Sequence, residues 1–151
     1  MNQPAIHSIT ALPENIAVLE KEAIAEGFRF LTRLVAEWQS GANRFNRPGE
    51  CLMAAFMEGQ LVAIGGLTQD PFAAHGVGRL RRVFVARAFR GRNLGRRLVE
   101  QLVAHAARHF REVRLSTDSS SGAAFYSACG FQAVVDEQAT HHCVLEPTRS
   151  A

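Results

Sequence analysis

The segment from Arg82 to Leu98 constrains the fold of this 151-residue chain more than any other. Its first part, Val83-Phe84-Val85, is β-branched and aromatic, which is typical of a buried strand. From Leu94 onward, leucines recur at four-residue spacing, and this period predicts the apolar stripe of an amphipathic helix. The segment therefore predicts a strand, a short loop and a helix in direct succession.

The loop between this strand and helix has the composition of an anion-binding site. Gly91, Asn93 and Gly95 stand at alternate positions, with arginines among and beside them at positions 90, 92, 96 and 97. The first N–H groups of a helix lack internal partners and the helix dipole is positive there, so an anion is favoured. Glycine also allows positive φ and a close approach of the backbone to a ligand. The stretch 90–96 therefore predicts a pyrophosphate cradle; the alternative is a plain connection with solubilising arginines.

Two well-known phosphate loops do not match this segment. A P-loop has Lys followed by Ser or Thr after its last glycine, whereas Arg96 and Arg97 follow here. A dinucleotide-binding turn has Gly-x-Gly-x-x-Gly, and the spacing here is Gly-x-Asn-x-Gly. The loop does resemble the acyl-CoA loop of the GNAT N-acetyltransferase superfamily, Arg/Gln-x-x-Gly-x-Gly/Ala, in the form Arg90-x-x-Asn93-x-Gly95. Asn93 replaces the usual glycine, and because Asn tolerates left-handed backbone, the turn is expected to persist.

A second segment carries the same resemblance. Phe125-Tyr126-x-x-x-Gly130-Phe131 is similar to the second GNAT signature, in which an Asn and then an Ala precede Leu/Phe-Tyr and Gly-Phe. Ser119 takes the Asn position and Gly122 the Ala position, so two residues depart from the pattern. Both motifs occur in the family's order, about 30 residues apart. On these residues the chain is identified as a member of the superfamily.

The remaining periodicity predicts seven strands and four helices in one domain, 1–151. The strands are expected at 6–10, 51–57, 61–67, 79–85, 113–117, 131–135 and 141–145, and the helices at 13–27, 28–40, 94–109 and 122–129. This order fits an α/β fold with a mixed sheet and helices on both faces. It is also the order of the GNAT fold, whose sheet is mostly antiparallel.

The resemblance implies acetyl-CoA as co-substrate and assigns residues to its binding. The backbone at Val83 and Val85 is expected to hydrogen-bond the pantetheine arm, in a slot opened by divergence of this strand from 113–117. The implied cofactor-binding residues are Val83, Phe84, Val85, Arg90, Gly91, Arg92, Asn93, Leu94, Gly95, Arg96 and Ser119. Tyr126 occupies the position of the family's general acid for the leaving thiolate; packing beside Phe125 is the structural alternative.

The general base and the acceptor are less well defined by the sequence. Glu26, Glu37, Asp70 and Asp118 are candidate bases, and ordered water is another. On the strand before the cradle, Arg79 and Arg81 share a face and could bind an acceptor carboxylate, or could form structural ion pairs. The predicted acceptor is a primary amine of a small molecule or peptide.

Composition narrows the remaining possibilities. The net charge is +3, and eight arginines without an acid lie between positions 79 and 97, which suits a nucleotide, CoA or nucleic acid. Nucleic acid is not expected, because few aromatic residues interleave the arginines. Three scattered cysteines and the lack of a signal peptide or membrane span predict a cytoplasmic protein. His105 and His109 lack a third ligand, so no metal site is predicted. A homodimer is possible, and a non-catalytic acyl-CoA-binding module is the alternative function.

Overall fold

A computed structural model describes residues 3–145 of the chain. Seven strands and four α-helices follow in the predicted order. The strands are β1 (Ala5–Ile9), β2 (Cys51–Met57), β3 (Gln60–Gln69), β4 (Val77–Val85), β5 (Glu112–Leu115), β6 (Gln132–Asp136) and β7 (Ala139–Val144). The helices are α1 (Ile16–Ala25), α2 (Phe30–Ser40), α3 (Leu94–Ala106) and α4 (Ser120–Ala128). Positions 1–2 and 146–151 of the predicted domain lie outside the described residues.

The strands form one sheet in the order β1-β2-β3-β4-β5-β7-β6. Strands β4 and β5 pair in parallel, and the other neighbouring pairs are antiparallel. The parallel pair requires a crossover, and α3 supplies it. The predicted fold class, a mixed and mostly antiparallel sheet of seven strands, is confirmed.

Two adjacent glycines of β3 show that helices cover both faces of the sheet. A Cβ added to Gly65 would meet Leu98 and Leu102 of α3, whereas one added to Gly66 would meet the ring of Phe45 on the opposite face. Helices α1 and α2 lie on that second face, where α1 contacts β3 and α2 contacts β4. The buried core therefore extends along both sides of the central strands.

Some element ends differ from the sequence prediction. Helix α3 ends at Ala106 rather than at 109, because the N–H groups of Arg108 and His109 bond carbonyls only three residues back and tighten the last turn. The hairpin between β2 and β3 is confirmed. Glu58 and Gly59 both have positive φ, as the favoured two-residue hairpin turn requires.

Strand β4 is irregular where it matters for the site. Its pairing with β5 covers only Val77 to Arg79, and beyond that point the edge of β4 facing β5 is open. A β-bulge lies in the same region: Arg82 and Val83 together oppose the single residue Gly65 of β3, and Arg82 has a φ of 61°. The open edge and the bulge create a cleft in the middle of the sheet.

Candidate active site

A cleft of about 1170 Å³ lies where β4 and β5 diverge. Its walls come from the α1–α2 connection, the outer half of β4, the loop before α3, the end of β5 and α4. Pockets for ordinary small ligands measure roughly 300–1,000 Å³. The cleft is therefore large enough for an extended ligand. All but one of the residues predicted to bind the cofactor, and Tyr126 as well, line it.

The loop before α3 has the backbone conformation of an anion cradle. Gly91 has a φ of 77°, and Asn93 is left-handed with φ 62° and ψ 10°. Asn93 makes no side-chain cap to α3, so the first N–H groups of the helix remain available to a ligand. No atom lies within 4 Å of a Cβ placed on Gly91, so the loop surface is open. The expected left-handed turn at Asn93 is confirmed.

Gly95 fixes the distance between the start of α3 and its surroundings. A Cβ at this position would lie 3.3 Å from the Phe125 ring of α4 and 3.3 Å from the Val85 side chain of β4. Such contacts are tighter than ordinary packing distances. The absence of a side chain therefore lets the helix N-terminus, β4 and α4 meet around one end of the cleft.

Arg90 connects the cradle to strand β4 and to the connection between α1 and α2. Its Nε donates to the Val85 carbonyl at 3.0 Å, its Nη2 forms a 2.8 Å salt bridge with Glu26, and its guanidinium lies 5.2 Å from the Phe84 ring centroid. The side chain thus holds strand and loop together. Arg92 does not line the cleft, and its guanidinium lies over Phe89 instead.

The backbone of Val83 and Val85 points toward the open edge of β4. Ala86 N–H donates to Val62 O of β3 at 2.8 Å. Alternate residues of a strand direct their backbone groups to opposite neighbours. Val83 therefore presents its N–H and carbonyl groups, and Val85 its N–H group, to the side where β5 has diverged. The Val85 carbonyl points the same way but already accepts a hydrogen bond from Arg90 Nε. The Phe84 side chain points to the face of the sheet that α2 covers, where it packs edge-on against Phe30.

Tyr126 lies at the base of the cleft on α4. Its ring packs edge-on against Phe125 and Phe131, with centroids 5.0 and 5.8 Å away. Burial, together with the neighbouring Cys129, raises the pKa of the phenol to about 12. Tyr126 is therefore protonated at neutral pH and can donate a hydrogen bond to a group in the cleft. The packing alternative and the catalytic role both remain compatible with this position.

Ser119 is the N-cap of α4. Its Oγ accepts a hydrogen bond from Gly122 N–H at 3.0 Å. A Cβ on Gly122 would lie only 2.2 Å from Thr117 Oγ1, which explains why glycine replaces the alanine of the family signature. Thr117 itself bridges to β7, because its N–H donates to Thr140 Oγ1 at 3.0 Å. Both threonines line the cleft and were not predicted as site residues.

The four candidate bases have different surroundings. Glu37 and Asp70 each form a salt bridge with an arginine of β4 and do not line the cleft. Glu26 lines the cleft but is bonded to Arg90. Asp118 is exposed, lines the cleft and forms no salt bridge with any other residue of 3–145. The structure thus leaves Asp118 as the carboxylate most available to a ligand.

Three arginines of β4 line the floor of the cleft on the α2 side. Arg79 donates to Asp70 at 3.3 Å and to Ser116 Oγ at 2.9 Å, which links β4 to the end of β5. Arg82 donates to Glu37 of α2 at 3.1 Å. Their neighbour Arg81 donates through Nε to Thr68 Oγ1 at 3.1 Å. Sequence reasoning placed Arg79 and Arg81 on one face but missed Arg82, because nothing in the sequence marks the bulge.

Residues 3–145 contain neither a metal-binding cluster nor a membrane-spanning helix. No group of three or more His, Cys, Asp or Glu side chains is arranged to hold a metal ion. None of the helices in that range is long and apolar enough to cross a bilayer.

Comparison with known proteins agrees with this geometry. A protein from Exiguobacterium sp. 255-15, described as an acetyltransferase, is 25% identical in sequence. Its TM-score is 0.85, over 95% of this chain and 94% of that one. A GNAT-family protein from Desulfovibrio desulfuricans is 18% identical, with a TM-score of 0.73 over 94% of this chain and 99% of that one. Glucosamine-6-phosphate N-acetyltransferase from Arabidopsis thaliana is 19% identical, with a TM-score of 0.57 over 92% of this chain and 98% of that one.

No curated protein matches the sequence. Residues 15–131, however, match the model of the acetyltransferase (GNAT) family. Members of this family use acetyl-CoA or another acyl-CoA as donor. Because the match covers well over half of the sequence, the chain belongs to the acetyltransferase (GNAT) family.

Proposed function

We propose that this protein transfers an acetyl group from acetyl-CoA to a primary amine of a small molecule or peptide. One observation carries the proposal: an open helix N-terminus, preceded by two left-handed residues, adjoins the unpaired edge of β4. The first feature suits a pyrophosphate and the second suits an extended amide-containing arm. Both lie in one continuous cleft with the Tyr126 phenol.

The residues present fit an acyl-CoA donor. The N–H groups from Arg90 to Arg96 would receive the pyrophosphate, and Gly91 leaves their surface open. The backbone of Val83 and Val85 would form hydrogen bonds with the pantetheine arm, in the way that a sheet edge pairs with an added strand. When bound, acetyl-CoA supplies the acetyl group as an activated thioester.

Tyr126 is proposed to assist departure of the thiolate. An ordinary thiol has a pKa of about 8.5, well below the value of about 12 for this phenol. The phenol therefore keeps its proton in the resting enzyme. It acts by donating a hydrogen bond to sulfur as negative charge builds there, because charge-assisted hydrogen bonds are about twice as strong as neutral ones.

Asp118 is proposed to accept the proton that the amine loses, directly or through water. The reacting nitrogen must be neutral to attack the thioester carbonyl, and it carries an extra proton after the attack. Of the four candidate carboxylates, Asp118 is the one that lines the cleft without an arginine bonded to it. Its exposure gives a direct route for the proton to solvent.

A non-catalytic acyl-CoA-binding module is the second candidate. The observation in its favour is that Glu26, Glu37 and Asp70 are all engaged with arginines, which leaves one exposed carboxylate as a base. A nucleic-acid-binding role is not favoured, since the same pairs neutralise three of the clustered arginines. All three cysteines in the described part are free thiols, which supports the proposed cytoplasmic location.

Thiol release in the presence of acetyl-CoA and a panel of primary amines tests the proposal. Wild-type protein is expected to release CoA only when an amine is acetylated. Tyr126→Phe should retain acetyl-CoA binding and lose about 10- to 100-fold in turnover, as expected for the loss of one hydrogen bond to a charged group, roughly 1.5–3 kcal/mol. Asp118→Asn should lower the rate most near neutral pH and least at alkaline pH, where the free amine is abundant. Binding without turnover for any amine would support the non-catalytic alternative.

A further inference from the structure

We infer that the acceptor amine carries a carboxylate or phosphate group, which binds Arg81 on the floor of the cleft. This inference deepens the proposed function and rests on it. It names the chemical class of the acceptor, a small anionic amine, rather than an individual compound. Three features of the acceptor side support it.

The first feature is the bulge in β4. A bulge sets two consecutive residues of one strand against one residue of its neighbour, so the usual alternation of side chains is interrupted. Arg81 contacts Thr68 and Arg82 contacts Glu37 of α2, so these consecutive arginines both point toward the α2 face. Arg79 lies on the same strand two residues earlier. Alternation already places Arg79 and Arg81 on this face, and the bulge adds the guanidinium group of Arg82 to them.

The second feature is how these three charges are balanced. Asp70 neutralises Arg79, with side chains only 1% and 11% exposed, and Glu37 neutralises Arg82. Arg81 forms no salt bridge with any residue of 3–145, and its side chain donates a hydrogen bond to the hydroxyl of Thr68. Arg81 lines both the cleft and a smaller cavity of about 250 Å³ that Thr68 and Glu37 also line. Its two Nη groups form no hydrogen bond to the described residues, so they can turn to a ligand on the cleft side. An arginine fork binds a carboxylate or phosphate through two parallel hydrogen bonds.

The surroundings of Arg81 destabilise its positive charge, which favours binding of an anion there. Burial is the main factor that lowers the pKa of its guanidinium, and the neighbouring Arg79 and Arg82 lower it further. Glu37 and Asp70 act in the opposite direction but are each bonded to another arginine. An anion bound at Arg81 would relieve this destabilisation of the charged form.

The third feature is the wall opposite the floor. Arg33 of α2 is exposed, lines the same cleft and lies one helical turn before Glu37, on the helix face that contacts Arg82. The rings of Phe28 and Phe30 lie beside it, with centroids 5.4 Å apart and planes tilted by 48°. The acceptor side thus combines two arginines with an aromatic surface. This arrangement suits a small anionic amine with room for an apolar part.

Binding to the CoA complex tests the inference without requiring turnover. The protein is saturated with free CoA, and amines are added in matched pairs that differ in the anion: glycine and glycinamide, phenylalanine and phenylalaninamide, phosphoethanolamine and ethanolamine. Isothermal titration measures each affinity. In at least one pair the anionic member is expected to bind about 10- to 100-fold more tightly, as a hydrogen-bonded charge pair gives.

Two variants assign that difference. Arg81→Gln should reduce the preference for the anionic member to less than about 3-fold, since one uncharged amide cannot replace the fork. Arg108→Gln, which removes an exposed arginine outside the cleft, should leave the preference unchanged. The affinity for CoA should be the same in all three proteins.

The outcomes separate the inference from the proposed function. Failure of wild-type protein to bind CoA would overturn the proposed function itself. CoA binding with equal affinities for both members of every pair, or with no response to any anionic member at millimolar concentration, would overturn only the anionic acceptor. A preference that persists in Arg81→Gln would likewise overturn the assignment to Arg81.

Discussion

The hydroxyl of Thr117 occupies the space that a side chain at Gly122 would need. A Cβ on Gly122 would lie 2.2 Å from Thr117 Oγ1 and 2.9 Å from Ser119 Oγ. The first distance is far below a normal contact, and the two residues lie at the joint between β5 and α4. The exact spacing of the cleft wall therefore depends on a small residue at position 122 and a hydroxyl at position 117.

Gly122→Ala is expected to lower the free energy of unfolding by about 1–3 kcal/mol, although alanine is the better helix former, because overpacking outweighs helix propensity here. Urea denaturation measures the change. The double variant Thr117→Ala/Gly122→Ala should recover most of the loss, since the clashing hydroxyl is gone. Additive effects of the two substitutions would contradict this account of the glycine.

Asn93→Val is expected to lower the free energy of unfolding by about 1–3 kcal/mol and to weaken acetyl-CoA binding, because a β-branched residue is strained at a φ of 62°. Asn93→Gly is the matched control: it adopts the same backbone conformation and should change stability by less than about 1 kcal/mol. Urea denaturation and titration with acetyl-CoA measure both properties. Equal effects of the two variants would show that the left-handed turn is not required.

Glu112→Gln should destabilise the protein by about 1 kcal/mol at neutral pH and by less near pH 3. Glu112 accepts from Arg114 at 3.0 Å and lies 2.8 Å from His142 Nδ1, at the junction of β5 and β7. Burial raises the pKa of this carboxyl, but the hydrogen bonds and charges of Arg114 and His142 outweigh it and lower the pKa below 4.5. Its stabilisation is therefore present above that pH and is lost as the pH falls through the lowered value.

Urea denaturation at both pH values measures this effect. Glu100→Gln is the control, because Glu100 forms only an exposed pair with Arg96 at 3.7 Å and should contribute little at either pH. A destabilisation by Glu112→Gln that does not change with pH would indicate a packing effect instead of a charge effect.

Tyr126 should make stability fall at alkaline pH. The unfolded-state pKa of the phenol is 10.0 and burial raises the folded value to about 12, so the folded protein binds the proton more tightly between those values. The contribution of this phenol to the free energy of unfolding is constant below pH 10. It declines by about 2–3 kcal/mol as the pH rises toward 12. The stability of Tyr126→Phe should decline less over the same interval. Some decline is expected in both proteins, because the buried Cys51 thiol titrates in both. Identical declines would contradict the burial of this phenol.

Local sequence signals predicted the order of the elements and the form of the cradle. Apolar periods identified the strands and helices, and Gly91 and Asn93 marked the left-handed positions found in the loop. These features depend on residues that are close in the chain, so their physical basis is visible in the sequence. The Gly95 contact with Phe125 joins two motifs 30 residues apart, and there the family resemblance indicated proximity that periodicity alone does not.

The remaining parts of the site depend on pairings between distant segments. The bulge at Arg82 has no glycine to mark it, and an arginine at positive φ is not an expected strand residue. The partners of Asp70 and Glu37 lie 9 and 45 residues away, so their salt bridges with β4 became apparent only in the folded chain. Together with the Glu26–Arg90 pair, these salt bridges leave Asp118 as the candidate base that has no salt bridge within residues 3–145.

Thermal unfolding with acetyl-CoA, free CoA and inorganic phosphate in parallel tests the central claim most directly. A ligand that binds only the folded state adds about 2.7 kcal/mol of stability at 100 times its dissociation constant. We expect a concentration-dependent rise in the transition temperature with acetyl-CoA and CoA, and none with the same concentration of phosphate. No rise at millimolar acetyl-CoA would contradict the assignment of the cleft as an acyl-CoA site.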